Sequence, residues 1–242
     1  MASASAITYG EQDSAEPRSK LRNLTETAVA YGLILLVIWS PRPWQRYLWW
    51  IAAISVITVT CTSYEGRNAL GLRMTNLGRS LWIVGVALLL AAGAVLVAAR
   101  LHTLHLPSTP LAFFATYCAY AVWSGVQQFL LQGVFLQRLL HLIPNSTRAA
   151  FAASALFAIA HLPSAVLTPL TLMWGFAACL IFLRYRNLYP LALSHAILGI
   201  AVAVTIPGPV DHNMRVGLGY VRYNPHRHAH APYPLTNPLP KP

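Results

Sequence analysis

The chain has 242 residues, of which 56% are hydrophobic and only 10% charged, with a mean hydropathy of +0.52 and a formal net charge of +11. Soluble domains carry about 25% charged residues, so this composition excludes a water-soluble globular fold for most of the chain. The positive charge does not mark a nucleic-acid binder either, because the Arg residues sit in small groups between apolar segments instead of forming one basic stripe.

Residues 1–23 form a polar N-terminal tail without the pattern of a cleavable signal peptide. From there to residue 206 the sequence predicts an all-α, polytopic transmembrane bundle with the lipid bilayer as its solvent. A spanning helix needs about 20 mainly apolar residues. Candidate segments are Leu24–Ser40, Tyr47–Thr62, Leu81–Ala99, Leu111–Leu140, Ala149–Leu162, Ala165–Arg184 and Leu188–Ile206, about seven spans. The fourth is long enough to be tilted, kinked or to project beyond the bilayer. Pro41 and Pro43 break the first pair, Pro107 and Pro110 precede the fourth, and Pro163 closes the fifth. Trp39, Trp44, Trp49, Trp50 and Trp82 lie near segment ends, where amphipathic rings favour the membrane interface. Cys61, Cys118 and Cys179 fall inside apolar segments with no CxxC, which reads as buried, inert thiols.

The basic residues orient this set. With the N-terminus inside, one side holds Arg18, Lys20, Arg22, Arg67, Arg73, Arg79, Arg138, Arg148, Arg184 and Arg186. The opposite loops hold only Arg42, Arg46 and Arg100. The positive-inside rule then predicts a multi-pass protein of the cell membrane with a cytoplasmic N-terminus. Arg215, Arg222, Arg227 and Lys241 in the tail, which seven spans would put outside, pull the other way. Residues 207–242, rich in Pro, His and Tyr, read as an extended or disordered C-terminal tail. Its alternating His226, His228 and His230 make a weak metal site.

Polar side chains inside the membrane are costly and mark function. None of the six acidic residues lies between Leu81 and Ile206, but Gln127, Gln128, Gln132, His161 and His195 do. Gln128 and Gln132 are spaced i, i+4 and share a helix face, as do Phe157 and His161. Gly199 follows His195 by one turn and permits close helix approach. Three helices are thus expected to bring polar groups to one inner site. The bland alternative is that the Gln side chains glue helices together by hydrogen bonds and His161 is interfacial.

The stretch Gln127-Gln128-Phe129-Leu130-Leu131-Gln132-Gly133 resembles the first motif of the CAAX protease and bacteriocin-processing (CPBP) family, which has two Glu and then Arg. Phe157 to His161 is similar to its second motif, Phe-x-x-x-His. His195 stands where its third motif begins, with Gly199 in the place of an Asn or Asp. The phrase Ala69-Leu70-Gly71-Leu72-Arg73 is similar to one found ahead of the family's core, which here spans about 111–199. The resemblance implies an intramembrane endopeptidase related to the CAAX prenyl proteases, acting on a membrane-anchored or hydrophobic peptide. In active members the first Glu activates a water, and the two His with the Asn or Asp position it and stabilise the oxyanion. By that resemblance His161, His195, Gln127 and Gln128 occupy the catalytic positions, with Gln132, Phe157 and Gly199 supporting.

Here Gln replaces both Glu, so no amide can serve as the general base. Two His with a neutral Gln also make a poor zinc site beside His₂Glu, which leaves a metal cofactor poorly supported. His161 or His195 remains as a base, and Glu65 is a remote candidate for a surrogate carboxylate. Losing the carboxylates and the Arg together removes buried charges of both signs, which keeps the site self-consistent. The alternative function is a non-catalytic membrane scaffold or peptide binder using the same cavity.

Overall fold

The computed structural model describes residues 20–62, 66–72, 74, 77–107 and 109–224. Among them every regular element is helical, and each of the seven apolar segments forms a helix. In chain order these are α1 (Lys20–Trp39), α2 (Arg42–Thr62), the short α3 (Leu77–Ser80) and α4 (Trp82–Arg100). Then come α5 (Pro110–Phe129), α6 (Gln137–Leu142), α7 (Ser146–Ile159), α8 (Leu167–Tyr185) and α9 (Tyr189–Thr205). Three stretches are long and apolar enough to cross a membrane by themselves: Lys20–Trp39, Leu77–Arg100 and Leu167–Tyr185. The helices Ser146–Ile159 and Tyr189–Thr205 are apolar but shorter. The chain is an integral membrane protein on this evidence.

The long fourth segment is not one regular α-helix. It runs through a π-helical turn, Leu130–Leu136, between α5 and α6. Thr109 caps its start by accepting from the Ala112 amide, and Pro110 occupies the first turn, where its missing N–H costs nothing. Such wide turns are inserted where function needs a helix to change phase. Six of the seven residues of this one, from Leu131 to Leu136, are buried.

The core lies where α7 packs on α8 and where α9 packs on α4 and α5. Ala149, Ala150, Ala153 and Ala178 are all fully buried, and such small residues let helices approach closely where lipid supplies no hydrophobic drive. Arg138, 3% exposed, ties three elements together. Its guanidinium donates to Glu26 Oε2 (3.0 Å), to the Val134 carbonyl (2.8 Å) and to the Val59 carbonyl (3.0 Å). The 66–72 loop docks beside this clasp: Gln137 Nε2 donates to the Ala69 carbonyl and the Leu188 amide to that of Gly71. Gly71 is required there, because its φ is +72° and a Cβ would strike the Phe182 ring.

These contacts sort the loops. The start of α1, the 66–72 loop, the α6–α7 turn and the α8–α9 turn gather at one end, and the α1–α2, 101–109 and α7–α8 connections gather at the other. At this second end the His105 amide donates to the Val204 carbonyl and the Gly217 amide to that of Leu162.

Two expectations are corrected. Residues 207–224 are not extended: they form the short helices α10 (Gly208–Asp211) and α11 (Gly217–Val221), folded over the second end and packed on α1. Pro- and His-rich composition hid them because their order comes from tertiary contacts. Of the cysteines only Cys179 is buried, whereas Cys61 and Cys118 face outward from their helices. Glu65, Arg73 and the His226–His230 run lie outside the described residues.

Candidate functional site

The π turn and α9 meet through polar side chains. Gln128 and Gln132, both fully buried, point from the same face toward α9 and α8. Gln132 Nε2 donates to Gln128 Oε1 at 3.3 Å. That bond fixes the Gln128 amide, so its Nε2 is the atom that faces His195 Nδ1 at 3.0 Å. An amide nitrogen only donates, so His195 Nδ1 accepts and its proton resides on Nε2. The chain therefore runs Gln132 to Gln128 to His195 without a formal charge. Gln132 Oε1 has no hydrogen-bond partner among the described residues.

His161 is set the opposite way. Its Nδ1 lies 2.7 Å from the Phe157 carbonyl oxygen, one turn back on the same helix. A carbonyl only accepts, so Nδ1 carries the proton and Nε2 keeps its lone pair. The Phe157 ring stands edge-on between the two imidazoles, with centroids 4.8 Å from His161 and 5.8 Å from His195. Trp174 of α8 flanks His195 at 6.3 Å. The two histidines thus present complementary nitrogens, one an acceptor and one a donor.

Both border a cavity of about 1630 Å³ lined by residues of α1, α2, α4, α5, α7, α8 and α9. Gln127, Phe157, His161, Trp174, His195 and Gly199 all border it, and most of its wall is apolar. Gln127 and Gln128 therefore separate: Gln127 faces the cavity, while Gln128 lies behind His195. Gln132 joins the buried chain, and Gly199 contacts Tyr120 of α5, whose hydroxyl sits where a Cβ would fall. Tyr120 and Trp174 were not singled out from the sequence. Aromatic residues are common on apolar helices, and only the phase with Gly199 and His195 could have pointed to them.

The donor set does not suit a metal. His161 keeps an Nε2 lone pair, but His195 Nδ1 is taken by Gln128 and its Nε2 is protonated, the amides carry no charge, and no group of three or more His, Cys, Asp or Glu converges among the described residues.

Residues 107–201 match the family model described as Rce1-like, type II CAAX prenyl endopeptidase. No curated protein and no solved structure matches the chain. The matched stretch begins just before α5 and ends within α9, and so contains every residue of the site just described. Over residues 107–201, which carry both motif histidines at one cavity, the chain is similar to the Rce1-like, type II CAAX prenyl endopeptidase family.

Proposed function

We propose that the protein takes a hydrophobic or membrane-anchored peptide into the cavity and hydrolyses it slowly, as a CPBP-type endopeptidase whose base is His161. The observation that carries this reading is the pair of complementary imidazole nitrogens at one cavity. A water between them gives its proton to His161 Nε2 as its oxygen bonds to the scissile carbonyl carbon. The carbonyl electron pair moves onto oxygen, which receives a hydrogen bond from His195 Nε2–H. Collapse of this intermediate breaks the C–N bond, and the leaving amine takes the proton from His161. Gln127, at the cavity wall, orients the water or the peptide but cannot take its proton.

An imidazole held in an apolar site is a weaker base than a carboxylate poised for the task. A general base contributes about 10²–10⁴-fold, and much of that factor is forgone here. The neutral Gln132–Gln128–His195 chain favours a second reading, a non-catalytic scaffold that holds the same peptide. Purified protein in proteoliposomes, given an internally quenched hydrophobic peptide, separates the two. Slow cleavage lost in His161→Ala supports the peptidase. Peptide binding with no cleavage supports the scaffold.

In this reading all seven helices cross the cell membrane, with α5, the π turn and α6 as one span and the N-terminus in the cytoplasm. Ten basic residues on the first side against three in the opposite loops, or five with Arg215 and Arg222 of the folded 207–224 stretch, support that orientation. Single cysteines introduced at Asn68 and at Leu104 test it: only the second should react with an impermeant maleimide added outside intact cells.

A further inference from the structure

We propose that the hydroxyl of Tyr120 donates a hydrogen bond to the carbonyl oxygen of the peptide held in the cavity, as the partner of His195. The inference rests on the peptide-binding site proposed above and adds to it a group from a different helix. Tyr120 belongs to α5, and its ring reaches across to α9. A Cβ built on Gly199 would fall on the Tyr120 hydroxyl, so the absence of a side chain there is what makes room for it. Gly199 stands one turn beyond His195 on the same face of α9, and residues so spaced have neighbouring Cβ positions about 5–6 Å apart. Tyr120, Gly199 and His195 all border the cavity. The Ser124 hydroxyl donates to the Tyr120 carbonyl at 2.9 Å, which fixes the helix turn that carries the ring.

The chemistry suits the position. A phenol supplies one O–H donor; the Ser124 side chain partners it in the free protein, and a bound peptide carbonyl is the stronger acceptor that takes its place. Packing against Gly199 alone would be served as well by phenylalanine. The hydroxyl and His195 Nε2–H are therefore two donors, from α5 and α9, on residues that border the cavity along one face of α9. As the attacking oxygen bonds to the carbonyl carbon, the carbonyl π pair moves onto oxygen. Tyr120 and His195 then each donate a hydrogen bond to that oxygen without giving up the proton.

Tyr120→Phe is the variant, since it deletes the hydroxyl and leaves the ring on Gly199. The probes are N-myristoyl-Ala-Ala-leucinal, whose hydrate resembles the tetrahedral intermediate, and the same peptide with a methyl group in place of the aldehyde. Wild-type protein in proteoliposomes should bind the aldehyde more tightly than the methyl compound. Tyr120→Phe should weaken aldehyde binding about tenfold and leave the methyl compound within about twofold. The midpoint of thermal unfolding should not move. Equal affinities of wild-type protein for the two probes would overturn the proposal, as would a Tyr120→Phe variant that binds both as wild type does or weakens both alike. Turnover measured in parallel keeps the two ideas apart. An aldehyde preference that needs Tyr120, with no cleavage in wild type, sinks the peptidase reading and keeps the tyrosine donor. Cleavage by wild type that Tyr120→Phe leaves unchanged sinks the tyrosine donor alone.

Discussion

Replacing Gly199 with alanine probes the contact between α5 and α9, and the sign of its effect is set by Tyr120. The added Cβ would fall on the tyrosine hydroxyl, with ring atoms Cζ and Cε1 at 2.5 and 2.7 Å. Atoms cannot share that space, so α5 and α9 must separate or the ring must leave its place. Overpacking of this kind costs about 1–3 kcal/mol. Tyr120→Phe gives no relief, because Cζ and Cε1 remain. Tyr120→Ala does, because the three nearest atoms to the new Cβ all belong to the Tyr120 side chain. In that background the ordinary preference of a helix for alanine over glycine takes over, and Gly199→Ala should stabilise by about 0.5–1 kcal/mol. The assay is a double-mutant cycle read by reversible unfolding in mixed micelles with increasing SDS. Contacting residues couple by about 0.5–3 kcal/mol in such cycles. Equal effects of Gly199→Ala in both backgrounds would refute the reasoning, because they would mean that α5 and α9 do not meet at Tyr120.

Arg138→Ala should destabilise by about 1–3 kcal/mol, since it leaves two carbonyls unpaired at a buried clasp and Glu26 held from one side by Arg22; Arg138→Met should recover part of this packing in the same unfolding assay. Gln127→Glu, which places a carboxylate at the cavity wall, should raise peptide cleavage on the order of 10²-fold; adding Gly199→Asn should lower that gain, because Tyr120 occupies the space. Asp211, outside the spans, has its carboxyl raised above the usual range by burial, an effect partly offset by the amides of Asn213 and Met214 and by His105. Its protonated form suits the fold, so its stabilising share is present below about pH 4 and is lost as pH rises through the raised value. Asp211→Asn should therefore gain stability over wild type at pH 8 and not at pH 4, measured as the difference in unfolding midpoints.

Hydrophobicity made the helices legible, because each of the seven segments is apolar for its own local reasons and needs no partner to be helical. The i, i+4 spacing of Gln128 with Gln132 and of Phe157 with His161 likewise made the polar faces legible. What the sequence did not carry was phase across a long helix. Nothing in Leu130–Leu136 marks a π turn, since its residues would suit an α-helix equally well. The separate fates of Gln127 and Gln128 follow from packing against α9 and α8, and Tyr120 gains its meaning only from Gly199, 79 positions later in the chain. The order of 207–224 was hidden for a similar reason: the Gly217 amide bonds to the Leu162 carbonyl of the α7–α8 loop, a contact that composition cannot see.

The π turn has a consequence for how the two halves of that long helix evolve. Each residue in the wider turn advances the helix through a smaller angle than an α residue does, so Gln128 and Arg138 are not locked to the phase that ten α-helical residues would impose. One half can aim its amides at α9 while the other aims its guanidinium at α1. A one-residue deletion that restored a regular helix would change no side chain of either centre. It would still turn the two centres relative to each other, so that only one could keep its partners. Indel tolerance in this stretch is therefore a sharper record of selection than the identities of its leucines.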